Sequence, residues 1–247
     1  MLDKWYSCIR LPISIEEFHQ LPRNSAYKYE YLGEYALLSP RPKTFNGLLE
    51  LKPLDVSEAI EAHGPVTIRP LEEDDWKCLP AIFAGAFGRV QPFSSLSDED
   101  REEAATECLA QTRAGGDGPL IAEASFVALG EQKDDVVGGI LITLIPIREE
   151  GDWWTGKWPE PPPSDAVTQR LGRPHLTWVF VGPWHATNGI GSTLLAHAVN
   201  ALLKLEYREL ASTFLVGNDS STLWHWRNGF RLLPYPGSRR VWKKNAR

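Results

Sequence analysis

The sequence predicts a mixed α/β fold: a mostly antiparallel central sheet with helices on both faces, plus a small β-rich extension at the N-terminus. Three observations predict it. From residue 66 onward, strand-type and helix-type patterns alternate in the order β-α-α-β-β-β-α-β-α-β. Hairpin-type pairs stand beside one strand–helix–strand crossover, which mixes antiparallel with parallel pairing. The crossover stretch, residues 179–205 (VFVGPWHATNGIGSTLLAHAVNALLKL), sets Gly189 and Gly191 between its strand and its amphipathic helix.

Taken in order, residues 1–60 read as a separate small unit. Ser14 followed by Glu17 is a capping-box pattern that starts a short helix. Segments 28–32 and 34–38, joined at Gly33, read as a hairpin, and 45–51 as a third strand of that unit. Residues 54–65 form a linker with a short helical pattern at 56–62. A strand at 66–71 opens the main domain, which extends over 66–247. The helix after it has its acidic residues at the N-terminal end, where the helix dipole favours them, and Pro80 should kink or split it. Ser97 and Asp100 mark a second helix that runs to Arg113. Segments 120–129 and 136–147 form a hairpin of buried strands. Residues 149–174 hold five prolines without periodicity, which suits a lid, a binding loop or a disordered insertion; its Trp153, Trp154 and Trp158 either cover the acceptor or glue the loop to the body or to the N-terminal unit. Strands follow at 175–181 and 208–216, then a helix at 218–230 ending at Gly229, an extended return, and an edge strand at 239–244.

Composition narrows the function. A net charge of −6 disfavours nucleic acid as a partner. Cys8, Cys78 and Cys108 are an odd number at no metal-ligand spacing; they suit a reducing compartment, and no metal is expected. No apolar run is long enough for a signal peptide or a membrane span, so the expectation is a cytoplasmic protein with no membrane partner.

The chemistry concentrates at residues 186–192. Backbone N–H groups at the start of a helix have no partner within it, and the dipole adds partial positive charge there. Glycines at 189 and 191 let a phosphate approach the backbone closely, so the N–H groups of Thr187, Asn188, Gly189, Ile190, Gly191 and Ser192 can converge on one.

Two motifs carry a resemblance. The first is Val181-x-Pro183-x-x-Ala186-x-x-Gly189-Ile190-Gly191, and the second is Asn218-x-x-Ser221-x-x-Trp224-His225-x-x-x-Gly229-Phe230. They resemble the V-x-P-x-x-(Arg/Gln)-x-x-G-x-G/A and N-x-x-A-x-x-(Leu/Phe)-(Tyr/Trp)-x-x-x-G-F patterns of the GNAT superfamily of N-acetyltransferases. The resemblance covers residues 66–244 and implies the GNAT fold with acetyl-CoA as co-substrate. It implies a cleft in which main-chain groups of Val179, Phe180 and Val181 bond the pantetheine arm, residues 186–192 hold the pyrophosphate, and Asn218 orients the cofactor. Ala186 stands where the family has Arg or Gln, leaving a backbone-only cradle. His225 stands where a Tyr usually protonates the departing thiolate; a histidine can donate that proton near neutral pH, or it packs between Trp224 and Trp226 and water is the acid. Glu123, on the first hairpin strand, and His175, at the start of the central strand, are the candidate bases.

The acceptor implied is a primary amine of a small molecule or peptide. The acidic residues Glu72 to Asp75 and Asp98 to Glu103 form either a wall that attracts a cationic acceptor or a solvated helix face. Two other readings stay open: a non-catalytic acyl-CoA-binding or regulatory module, and an acyltransferase for a longer chain. Residues 18–40 also resemble the opening of a restriction-type endonuclease family, but no Asp…Glu-x-Lys constellation follows. A structural or dimerising extension is the favoured reading there, which makes a homodimer one of the expected assemblies.

Overall fold

In a computed structural model, which describes residues 8–24, 27–40, 44–56, 66–130, 135–147, 158 and 160–233, the chain builds two sheets. The smaller one contains β1 (Ile9–Leu11), β2 (Tyr27–Tyr31) and β3 (Ala36–Pro40) in the order β1-β3-β2, with α1 (Ile15–Gln20) beside it. Ser14 and Glu17 cap α1 reciprocally: the Glu17 N–H donates to Ser14 Oγ (3.2 Å) and the Ser14 N–H to Glu17 Oε2 (2.8 Å). Phe18, Tyr27, Ala36 and Leu38 close a small core of their own.

The larger sheet holds β4 (Thr44–Glu50), β5 (Thr67–Pro70), β6 (Phe126–Leu129), β7 (Val136–Pro146), β8 (Gly172–Val181), β9 (Glu209–Leu215) and β10 (Arg231–Leu232). Their order is β10-β4-β9-β8-β7-β6-β5. Every neighbouring pair is antiparallel except β8 and β9. The fold class read from the sequence is therefore the observed one, with one difference in membership. The strand expected to complete the N-terminal unit is β4, and it lies in the large sheet, paired with β9 from Thr44↔Leu215 to Glu50↔Glu209. The reason is burial. Leu49 and Leu51 join the main core, and the Phe45 ring meets Phe214 at 5.8 Å, contacts that a three-stranded unit could not supply.

Helices α2 (Leu79–Ala86) and α3 (Asp98–Arg113) cover one face of this sheet, and α4 (Ile190–Lys204) covers the other. Leu79, Phe83, Ala104 and Cys108 pack with Val127, Leu141 and Phe180 on the first side. Leu194, Leu195, Ala198 and Leu202 pack with Ile140, Ile142, Leu144 and Leu176 on the second. Pro80 splits its helix as expected: a 3-10 turn (Glu73–Lys77) ends at Cys78, and Pro80 sits in the first turn of α2, where a missing N–H costs nothing. Asp75, 4% exposed, takes a bidentate bond from Arg69 at 2.7 Å on both oxygens.

The hairpin strand expected at 120–129 begins only at Phe126. Before it, Ala122–Ala124 form a 3-10 turn held by the Ser125 hydroxyl, which donates to the Ile121 carbonyl (3.0 Å) and accepts from the Ile142 N–H (3.1 Å). In the long insertion, the Trp158 indole N–H donates to the Leu144 carbonyl (2.8 Å), fastening the strap to β7. Trp153, Trp154, the strand expected at 239–244 and the helix expected at 56–62 beyond Val56 lie outside the described residues. Among the described residues no helix is long and apolar enough to cross a membrane.

Candidate functional site

The site begins where β8 and β9 part. Their parallel pairing consists of His175↔Ala211 and Leu176↔Ser212 and stops there. On its other edge β8 stays paired with β7, but the register shifts: Leu141 faces Trp178 and Ile142 faces Leu176, so Thr177 is a bulged residue. A bulge bends and twists the strand that carries it. Residues 177–181 of β8 are thereby turned from β9 and have no strand partner on that edge among the described residues. Phe180 is buried in the core under α2 and α3, whereas Val179 and Val181 pack toward α4. Main-chain groups alternate in direction along a strand: the Gly182 N–H bonds the Val137 carbonyl and Phe180 pairs with Gly139, so Phe180 turns its main chain to β7, and Val179 and Val181 offer theirs to the gap.

The open arm of β8 ends in the glycine turn. Pro183–His185 make a 3-10 turn, Ala186 is extended and exposed, and Gly189 at φ +71° caps α4. Thr187 also has a positive φ, +71°, a conformation that costs a β-branched residue roughly 1–2 kcal/mol and clusters at ligand sites. Among the described residues, the N–H groups of Thr187, Asn188, Gly189, Ile190 and Gly191 have no backbone acceptor. Ser192 differs from the others: its N–H is bonded to the Gly189 carbonyl at 2.8 Å, so the free run stops one residue earlier than the sequence suggests. Gly191 faces α5 (Asp219–Arg227); a Cβ there would stand 3.2 Å from Trp224 Nε1.

Asn218 caps α5, its Oδ1 accepting from the Ser221 N–H at 3.1 Å. His225, one turn on, is 3% exposed. Its Nδ1 lies 2.7 Å from the Ser221 carbonyl, which can only accept, so Nδ1 carries the proton and Nε2 accepts from the Ser212 hydroxyl at 2.8 Å. The ring stacks on Phe214 at 3.9 Å and meets Trp224 and Phe230 edge-on, each at 4.9 Å. Burial pulls its pKa down to about 4, with the Ser221 bond a smaller opposing influence.

His175 lies one residue before the last paired position, Leu176, and belongs to a chain of hydroxyls. Its Nδ1 is 3.0 Å from Thr177 Oγ1, and its Nε2 is 3.1 Å from Thr213 Oγ1. Thr177 Oγ1 lies 2.8 Å from Thr143 Oγ1, which donates to the Asp117 carbonyl, and Thr213 donates to Asn46 Oδ1 on β4. Burial, and secondarily His225, lower the His175 pKa to about 4. Thr213 and Ser212 are successive strand residues and point to opposite faces, so the two histidines lie on opposite sides of the sheet. Glu123 is elsewhere. It is exposed on the 3-10 turn and faces electrostatically toward Tyr207, beyond the C-terminal end of α4, while the glycine turn is at the other end of that helix. The local reason is the Ser125 bonding that replaces strand structure at 122–124.

A solved GCN5-related N-acetyltransferase from Sphaerobacter thermophilus has this architecture, at a TM-score of 0.50 and 15% identity, with 92% of this chain and 57% of that chain covered. The chain has the GNAT fold. Two further structures are similar at lower scores. PaiA N-acetyltransferase from Thermoplasma acidophilum, in complex with coenzyme A, matches at 0.47 and 16% identity over 71% of this chain and 95% of its own. A GNAT family acetyltransferase from Brucella melitensis, in complex with acetyl-CoA, matches at 0.44 and 20% identity over 70% and 90%. No protein-family model and no curated protein matches the sequence.

Within this GNAT fold the acidic residues flanking α2 and in the first turns of α3 are exposed, Asp75 excepted, and several of them have local partners. Asp74 pairs with Lys77, Glu73 with Arg113 and Asp98 with Arg101, and Asp100 accepts from the Ser97 hydroxyl. Sequence reasoning missed Thr177, Thr213 and Asn46. The run of alternating polar residues on one face of 175–177 was a usable signal for the first, whereas Asn46 becomes a neighbour only through β4 pairing.

Proposed function

We propose that the protein is an N-acetyltransferase that moves an acetyl group from acetyl-CoA to an amine by direct attack in a ternary complex. The observation that carries this reading is the parting of β8 from β9 just past Leu176, with unpartnered N–H groups at the end of the open arm. A chain of amide acceptors and donors suits an unpaired strand edge, and a pyrophosphate suits converging N–H groups at a helix start. In this reading Val179 and Val181 offer main-chain groups to the pantetheine arm, with Phe180 between them paired to β7, and residues 186–191 hold the pyrophosphate without a side-chain cation. Asn218 fixes the opposite wall. Residues 66–247, completed by β4, form the transferase domain, and the three-stranded unit is an extension of it.

Acetyl-CoA would supply an activated thioester and leave as coenzyme A. The amine nitrogen bonds to the acyl carbon, the carbon–sulfur bond breaks, the amine loses one proton and the thiolate gains one. A main-chain N–H near the bulge at Thr177 polarises the acyl oxygen. His175, neutral at pH 7 and bonded to two hydroxyls at the mouth of the gap, passes the amine proton along the Thr213 or Thr177 side. His225 has its one N–H committed to Ser221, so water protonates the sulfur.

Thermal unfolding with acetyl-CoA tests the cofactor: at ~100 times its Kd the ligand adds about 2.7 kcal/mol of stability. Thiol release with an amine panel tests the reaction. His225 has its N–H committed and no other acid is positioned among the described residues, which favours one second reading, a non-catalytic acyl-CoA-binding module. That reading requires the thermal shift with no amine-dependent turnover.

A further inference from the structure

A cleft of about 310 Å³ opens beside the gap. Arg89 and Gln91 line it from the loop between α2 and α3, Asn24 from the N-terminal unit, and residues 215–220 from the point where β9 runs into α5. Leu215 thus belongs both to this cleft and to the strand whose edge faces the gap. None of the acidic residues flanking α2 and α3 lines it.

We infer that the acceptor is an amine that also carries an oxyanion, a carboxylate before all, and that Arg89 receives the oxyanion in this cleft. The inference rests on the acetyltransferase reading for the identity of the amine, but not for the oxyanion site itself. Arg89 is exposed and has no ion pair or hydrogen bond among the described residues. Its neighbours on this side are committed: Arg69 to Asp75, Arg113 to Glu73, and Arg101 to Asp98 and to the Phe93 and Leu96 carbonyls at 3.1 and 3.0 Å.

The loop that presents Arg89 is braced. Arg101 ties down its far end, the Val90 N–H donates to the Phe87 carbonyl and the Ser94 N–H to the Val90 carbonyl, each at 2.9 Å. Phe87 and Phe93 clamp it through Phe83, with ring centroids 4.5 and 5.4 Å from that residue. A guanidinium on a fixed loop is pre-organised for a planar, bidentate oxyanion. Asp219 lines the same cleft without an ion pair among the described residues. A cation and an anion in one cleft suit a ligand that is itself zwitterionic, with its oxyanion toward Arg89 and its amine toward the β9–α5 wall.

The test uses the full chain and three probe sets: free L-amino acids, the matching amino-acid amides, and 2-aminoethyl phosphate. Side-chain NMR of Arg89 is followed without acetyl-CoA, and thiol release is followed with it. The expected result is that the acids shift the Arg89 Nε–H signal and the amides do not. Arg89→Ala then lowers kcat/KM for the acids by about 10- to 100-fold, mainly through KM. Arg89→Lys recovers part of it, and the acetyl-CoA thermal shift is the same in both variants. A larger response to 2-aminoethyl phosphate than to every amino acid assigns the oxyanion to a phosphate. Equal response to acids and amides, or an unchanged kcat/KM in Arg89→Ala, overturns the inference. If acids shift Arg89 while acetyl-CoA gives no stabilisation, the oxyanion site stands and the transferase reading falls.

Discussion

The Ser212 hydroxyl, on the central sheet, lies 2.8 Å from Nε2 of His225, on the last helix, and fixes that buried ring as neutral. A folded pKa of about 4 against 6.5 in the unfolded chain makes stability depend on pH. Between those values the unfolded state binds a proton that the folded state refuses, so stability rises with pH. The His225 contribution is complete above pH 6.5 and is lost as pH falls toward 4, to the extent of roughly 3 kcal/mol. His175 acts with the same sign in the same window. Urea midpoints measured from pH 4.5 to 7.5 should fall steadily toward acid, and His225→Gln should flatten the slope. A wild-type midpoint independent of pH would contradict the buried neutral ring.

The two histidines should separate kinetically. His225→Gln breaks a hydrogen-bonded pair under Phe214 and should cost about 1–3 kcal/mol of stability. Assayed where it is folded, it should keep kcat within about threefold, well short of the 10²–10⁴-fold expected of a lost general acid. His175→Gln should lower kcat by about 10- to 100-fold with little change in the KM for acetyl-CoA. The reverse pattern would make His225 the acid and His175 a structural residue.

Gly189 sits at φ +71°, where alanine is strained. Gly189→Ala should destabilise the protein by about 1 kcal/mol. Rotating the turn also disperses the N–H groups of residues 187–191, so the acetyl-CoA Kd should rise about 10-fold, a loss of one or two hydrogen bonds to a charged group. Calorimetric titration measures the second effect independently of the first. Loss of stability with an unchanged Kd would remove this turn from the cofactor site.

The parts of the molecule written in local patterns were legible. The capping box at Ser14, the split at Pro80, the cap at Ser97 and the glycine turn are each set by residues within one helical turn of one another. What failed is non-local. The 120–129 stretch has the composition of a strand, but the Ser125 hydroxyl intercepts the Ile142 N–H, which lies 17 residues away, and winds 122–124 into a turn. That moves Glu123 out of the site. The stretch around His225 shows aromatic neighbours on both sides, and periodicity alone does not say which face of α5 meets β9. Nothing in the sequence singles out Arg89. Its isolation shows only when Arg69, Arg101 and Arg113 are seen to be engaged.

The largest non-local departure, β4 in the main sheet, yields the sharpest test of the N-terminal segment. A chain lacking residues 1–43 loses the three-stranded unit but keeps β4. A chain lacking 1–51 also strips β9 of its partner from Thr44 to Glu50 and removes Leu49 and Leu51 from the core. Two buried leucines are worth about 1.5–3 kcal/mol each, against a total stability of roughly 5–15 kcal/mol, and a bare β9 edge invites aggregation. The first truncation should therefore unfold cooperatively in urea with a modestly lowered midpoint. The second should be insoluble or unfold without a cooperative transition, and a synthetic peptide spanning 44–52 should restore it in part. Cooperative unfolding of the second truncation at the wild-type midpoint would mean that β4 is dispensable, and with it the Asn46 link to Thr213 and His175.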